Sequence, residues 1–180
     1  MLEQHSDVIE IVQRTVQQVF ATMLALRITN GPVEIDKRPL VPNAGTVAMV
    51  GMAGAVSGSG CLCLSKNLSC RLASALLMTQ LDEVNDEVLD AVAELANMII
   101  GGLKTELEES AGPMGLSVPT VIFSDHYITR TPTIGDRFTM QFTCEDEGWK
   151  ADFSVQICLI VEKSNRSYLQ ELAEFHAKLA

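Results

Sequence analysis

Apolar residues recur at helical spacing along the first part of the chain. This pattern places them on one side of a helix and predicts an amphipathic helix over about residues 5–26. The apolar positions of that helix are Val8, Ile11, Val12, Val16, Val19, Phe20 and Met23. The turn-prone sequence Asn30-Gly31-Pro32 is expected to end the region.

Short apolar runs follow between residues 45 and 64, interrupted by Gly54 and by Ser57-Gly58-Ser59-Gly60. They predict two strands joined by a tight connection. Ser65 or Asn67 can cap the helix that is expected next, which ends at about residue 79.

The second half of the chain changes to a strand pattern. Three segments are expected to be strands: 117–124, 137–144 and 151–162. A closing amphipathic helix is expected at about 165–179. The order of elements predicts one α+β domain over residues 1–180, with an antiparallel sheet packed against a few helices.

The longest predicted helix covers about residues 86–110. Asn85 is a suitable N-cap, and Asp86 and Glu87 lie in the first turn, where the helix dipole favours negative charge. Gly112-Pro113 supplies a stop signal. The apolar side of this helix consists of Leu89, Val92, Ala93, Leu95, Ala96, Ile99, Ile100 and Leu103.

The opposite side of this helix carries a polar stripe, defined by Asp90, Glu94, Asn97 and Gly101. At 3.6 residues per turn these four positions fall within about 60° of one another. Lys104 and Glu108 continue the same line. A solvated outer face is the ordinary explanation for such a stripe.

Gly101 and Gly102 are unusual in this position, because glycine in a helix interior costs roughly 1 kcal/mol relative to alanine. A glycine on the stripe would let the backbone or ligand of a partner approach closely. Packing of this helix against another helix of the same chain would explain the pair equally well.

Composition and charge narrow the classes of function. Hydrophobic residues make up 47% and charged residues 20%, which is typical of a globular protein. The formal net charge of −10 argues against binding to nucleic acid or to an anionic membrane surface. No apolar run reaches the roughly 18 residues that span a bilayer, so no membrane association is expected.

The cysteines and the N-terminus indicate a cytoplasmic protein. The start of the chain lacks the basic residues of a secretory signal. Five cysteines are an odd number, with no spacing typical of a disulfide framework. Cys61 and Cys63 share a strand face, but no Cys-x-x-Cys pair or nearby histidine completes a zinc set. We therefore expect structural cysteines and no metal site in this chain.

The sequence Asp90-Ala-Val-Ala-Glu94-Leu-Ala-Asn97-Met-Ile-Ile-Gly101 resembles the signature of the CheC/CheX/FliY group of chemotaxis phosphatases. The resemblance is sharp over about 25 residues around this motif and looser elsewhere. The first helix offers Glu10, but position 13 is Gln13 rather than asparagine. A single motif copy is more similar to CheX than to the two-site CheC proteins.

The resemblance implies a phosphatase that hydrolyses the aspartyl phosphate of a CheY-like response regulator. Glu94 and Asn97 would be its catalytic residues, with Asn97 orienting water and Glu94 pairing with the receiver's active-site lysine. Asp90, Gly101 and Lys104 would contact the partner. The chain itself would bind no cofactor, the Mg²⁺ would belong to the receiver domain, and the protein would be a homodimer.

A second interpretation stays open. The chain could be a non-catalytic module of the same fold that binds a response regulator or a component of the flagellar switch. The Glu94 and Asn97 pair favours the enzyme, because an adaptor has no evident need for that carboxamide.

Overall fold

The computed structural model describes residues 3–36, 43–127 and 136–160. The described helices are α1 (Glu3–Met23), α2 (Lys66–Leu77) and α3 (Asp86–Ala111). The described strands are β1 (Arg27–Asp36), β2 (Asn43–Gly54), β3 (Ser57–Leu64), β4 (Met114–Leu116), β5 (Thr120–Tyr127), β6 (Asp136–Asp146) and β7 (Trp149–Ile160). The closing helix expected at 165–179 lies outside the described residues.

Within the described ranges the strands form one antiparallel sheet of seven strands, in the order β1-β6-β7-β3-β2-β4. β5 also pairs with β2, so β4 and β5 lie one after the other along the same side of that strand. The β4–β5 side and β1 are therefore the two edges of the sheet.

The main hydrophobic core lies between one face of this sheet and the three helices. Alternate residues of β7 point into it, beginning with Phe153. The Phe153 ring stacks on Phe20 of α1, with ring centroids 4.9 Å apart, and on Phe142 of β6 at 5.3 Å. Val47, Cys61 and Cys63 form a second, smaller cluster. The predicted α+β architecture is confirmed.

One expectation was wrong. The Asn30-Gly31-Pro32 sequence does not end the region; it lies inside β1, whose pairing with β6 is irregular between Asn30 and Val33. An irregularity on an edge strand accommodates proline, because a backbone N–H that points away from the sheet has no neighbouring strand to donate to. A Cβ at Gly31 would lie 3.0 Å from the Gln141 carbonyl oxygen, so the close approach of β6 favours glycine there.

The strand predicted at 117–124 is also shifted. The chain forms the short β4 first, and β5 then begins at Thr120. Ser117 lies between them and bonds to Gly51 of β2 in both directions, since its N–H donates to the Gly51 carbonyl and its hydroxyl accepts from the Gly51 N–H. Pro119 supplies no N–H for strand pairing, so strand pairing is interrupted between β4 and β5.

Candidate functional site

Local sequence signals account for both ends of α3. The Asn85 side chain accepts a hydrogen bond of 3.0 Å from the Val88 N–H, which caps the N-terminus. At the other end, Gly112 adopts a φ of 99° and donates its N–H to the Glu108 carbonyl. The helix predicted at 86–110 is confirmed almost to the residue.

The core-facing side of α3 is fully enclosed. Its buried residues are Val88, Ala91, Val92, Leu95, Ala96, Ile99, Ile100, Leu103 and Leu107. Gly60 of β3 makes room for Ile100, because a Cβ at Gly60 would overlap the Ile100 side chain. This packing fixes the rotation of α3 about its own axis, and therefore the direction in which the polar stripe points.

The polar stripe lies on the outer side of α3. Asp90 and Glu94 are exposed, and Asn97 and Gly101 are half-buried. Among the residues that the structure describes, the side chains of Asp90, Glu94 and Asn97 make no hydrogen bond or ion pair.

The two adjacent glycines of α3 have different surroundings. A Cβ at Gly102 would overlap the Thr15 side chain of α1, so Gly102 is required by the packing of the two helices. A Cβ at Gly101 would meet only Leu116 Cδ1, at an ordinary contact distance of 3.8 Å. Internal packing therefore explains Gly102 and leaves Gly101 without a structural reason.

Lys104 is engaged within the chain. Its Nζ lies 2.6 Å from Glu108 Oε2, and Glu108 Oε1 accepts a hydrogen bond of 2.8 Å from the Met114 N–H. The hydrogen bonds from Lys104 and from the Met114 amide lower the pKa of the Glu108 carboxyl. These contacts hold the start of β4 against α3. The binding role predicted for Lys104 stays a prediction.

The cysteines do not belong to this site. All five are free and buried. Burial raises the pKa of the Cys61 thiol to about 12 and that of Cys63 to about 11, so both stay protonated and unreactive at neutral pH. No group of three or more His, Cys, Asp or Glu side chains within the described ranges is placed to hold a metal ion.

An open cavity of about 540 Å³ lies elsewhere, between α2, the connection to α3 and the β6–β7 hairpin. The Arg71 guanidinium there stands 4.8 Å from the centroid of the Trp149 ring. No residue of α3 lines this cavity, so it is separate from the stripe.

None of the described helices is long and apolar enough to cross a bilayer.

Sequence reasoning missed the surface beside the stripe. Leu116 of β4 lies next to Gly101, and β5 contacts α3. Large apolar side chains remain exposed in β5 and just before it: Val118, Ile122 and Phe123. The run Val121-Ile122-Phe123 was a signal, because strict alternation on a half-buried strand would have placed a polar residue between two apolar ones.

Known proteins resemble this chain in both sequence and fold. A family model described as chemotaxis phosphatase CheX matches residues 46–143, a span that contains all of α3. A CheX protein from Desulfovibrio desulfuricans has a similar structure, with a TM-score of 0.75 and 22% sequence identity over 86% of this chain and 99% of that one. No curated protein sequence gives a significant match.

Two further solved structures are similar. One is a CheX–CheY complex with BeF₃ and Mg²⁺ from Borrelia burgdorferi, with a TM-score of 0.62 and 23% identity over 85% of this chain and 97% of that one. The other is FliY from Thermotoga maritima, with a TM-score of 0.63 and 20% identity over 98% and 96%. At these identities the structural likeness shows the fold alone.

Proposed function

Because the chain belongs to the CheX family of chemotaxis phosphatases, we propose that it hydrolyses the aspartyl phosphate of a CheY-like receiver domain in the cytoplasm. The observation that carries the proposal is the polar stripe: Glu94 and Asn97 lie one turn apart on a rigid helix, with no partner among the described residues. The Borrelia complex of a CheX with CheY supports a receiver as the partner.

Asn97 is proposed to orient the attacking water. An acyl phosphate is already activated, so its hydrolysis depends on positioning and electrostatics more than on a strong base. The carboxamide oxygen would accept a hydrogen bond from the water, and an uncharged amide does not repel the anionic phosphoryl group. Glutamine has a comparable water-orienting role in GTPases.

Glu94 is proposed to form an ion pair with the receiver's active-site lysine, which would fix the register of docking. Asp90, Gly101 and Lys104 would contact the partner without taking part in the chemistry. The Mg²⁺ is proposed to belong to the receiver, so the chain would need no cofactor of its own. We expect the protein to act as a homodimer.

Phosphate release from phosphorylated receivers tests this proposal. The wild type should accelerate release over spontaneous hydrolysis. Asn97→Ala should lower kcat by roughly 100-fold, since water is then no longer positioned. Glu94→Ala should mainly raise KM, by about tenfold or more, because a charged contact is lost. Glu109→Ala is the matched control, since Glu109 is an exposed glutamate of α3 outside the stripe.

Each contrary outcome has a distinct meaning. No acceleration with any of several receivers would rule out the phosphatase. Binding of the phosphorylated receiver without turnover would favour the non-catalytic module for a response regulator or flagellar switch. Full activity of Asn97→Ala would remove Asn97 from the catalytic site even though the activity itself stands.

A further inference from the structure

Exposed apolar side chains are concentrated where the sheet ends beside α3. Phe123 and Ile122 in β5 are 40% and 36% exposed, and Val118 just before β5 is 86% exposed. Single apolar residues on a surface are ordinary, whereas several together mark interaction sites.

Strand pairing places Phe123 and Ile122 on opposite faces of the sheet. Phe123 pairs with Thr46, whose hydroxyl accepts a hydrogen bond of 3.0 Å from Ser69 of α2. Directly paired residues share a face, so Phe123 lies on the side that the helices cover. Ile122 pairs with Val47, which belongs to the cysteine cluster apart from the main core.

The face that carries Phe123 also carries Leu116, which reaches the stripe at Gly101. Leu116 pairs with Met52 further along β2 and reaches the Gly101 position, while Val121 packs against the main core between Leu116 and Phe123. Because β4 and β5 follow the same side of β2 and both contact α3, these three side chains run along the edge beside that helix. We call Leu116, Val121 and Phe123 the apolar edge.

The stripe alone is too small to hold a protein partner. A stable complex buries about 800 Å² on each side, contributed by about 20–30 residues. A partner that reaches Asn97 must therefore also cover the ground beside α3. With a net charge of −10 and two carboxylates on the stripe, this chain would attract only a basic partner at long range, so an acidic receiver needs short-range contacts.

We infer that Phe123 is the apolar anchor against which the phosphorylated receiver docks, with Leu116 and Val121 forming the rest of the contact. This inference rests on the proposed function, because the occupant is the receiver that the stripe would recognise. Aromatic side chains near the centre of an interface commonly carry most of its affinity. The apolar contact would set affinity, and Glu94 would set register.

Titration with a receiver activated by beryllium fluoride and Mg²⁺ tests the inference without turnover. Phe123→Ala should raise Kd by about tenfold, and Phe123→Leu should recover most of the affinity. Ile35→Ala is the matched control, since Ile35 is similarly exposed, at 46%, on the edge strand β1 at the other side of the sheet, and its Kd should stay within about twofold of the wild type. Phe123→Gln replaces Phe123→Ala if thermal unfolding shows the latter to be unstable.

The kinetic readout should agree. In phosphate release, Phe123→Ala should raise KM and leave kcat at saturating receiver unchanged, which is the signature of a contact made equally in the ground state and the transition state. The tenfold effect on Kd should persist at high salt, because an apolar contact is not screened.

The outcomes separate this inference from the proposed function. A wild type that binds the activated receiver but releases no phosphate refutes the phosphatase, and Kd alone then decides the role of Phe123. Equal losses of affinity in Phe123→Ala and Ile35→Ala refute the anchor. A Phe123→Ala variant that dissociates a dimer and keeps its Kd assigns the face to a second copy of the chain. A wild type that binds no receiver refutes both proposals.

Discussion

Gly101 and Gly102 are adjacent in α3, but different causes account for a glycine at each position. Gly102 is where α1 and α3 approach each other, since any side chain there would overlap the buried Thr15. Gly101 has room for a methyl group, yet the chain keeps the residue that costs a helix roughly 1 kcal/mol. The proposed contact with the receiver would account for that cost.

Alanine substitution should therefore have opposite effects at the two positions. Gly101→Ala should raise the free energy of unfolding by roughly 1 kcal/mol. It should also weaken receiver binding, because the added methyl group occupies the space that the glycine leaves on the stripe. Gly102→Ala should lower the free energy of unfolding by up to about 2 kcal/mol, since overpacking against the stiff Thr15 side chain outweighs the gain in helix propensity. Urea unfolding and receiver titration measure the two effects.

Measurements of stability and of receiver binding test the explanation given for each glycine. If Gly101→Ala binds the receiver as tightly as the wild type, Gly101 has no role in docking. If Gly102→Ala is more stable than the wild type, Thr15 can move aside and the helix contact does not require glycine.

At the scale of elements, α3 is coupled to the strand that follows it through one carboxylate. Glu108 accepts from both Lys104 and the Met114 amide, so it ties the last turns of the helix to β4. Leu116, which borders the stripe at Gly101, lies two residues beyond Met114. The position of the apolar edge thus depends on this contact.

Glu108→Gln should lower the free energy of unfolding near pH 7, with Glu109→Gln as the neighbouring control. The pKa of Glu108 is lowered in the folded state, so its ionised form stabilises the fold above the ordinary glutamate value of 4.5. That stabilisation is lost as the pH falls through the folded pKa. Urea titrations from pH 7 to pH 3 should show the wild type and Glu108→Gln converging. A constant difference across this range would contradict the contact.

Elements whose bounds are set by local signals could be predicted from the sequence, and elements set by strand pairing could not. The bounds of α3 follow from its caps and its apolar period, which are local signals, and the stripe follows from the same period. The strand β1 could not be predicted in this way. Asn30, Gly31 and Pro32 favour a turn locally, and only pairing with β6 makes them part of an edge strand. Phe123 was missed for a similar reason, since its exposure depends on which strand forms the edge.

At the scale of the whole molecule, the two sheet edges differ in how they are protected. β1 carries Pro32, an irregular register and the charged Arg27 and Glu34, all of which oppose pairing with another strand. β5 contains no proline, has Val121-Ile122-Phe123 in its middle and pairs with β2 on one side only, as far as the structure describes the chain. An unprotected edge of this kind favours self-pairing.

The expected homodimer should therefore form through β5 rather than β1. A lysine on an edge strand opposes strand pairing, so Ile122→Lys should shift the protein from dimer to monomer in analytical ultracentrifugation. Ile35→Lys is the matched control, because Ile35 is exposed on the β1 edge to 46%. A wild type that is monomeric at tens of micromolar would refute the dimer, and dissociation by Ile35→Lys alone would move the interface to β1. Retention of the dimer in both variants would show that neither edge forms it.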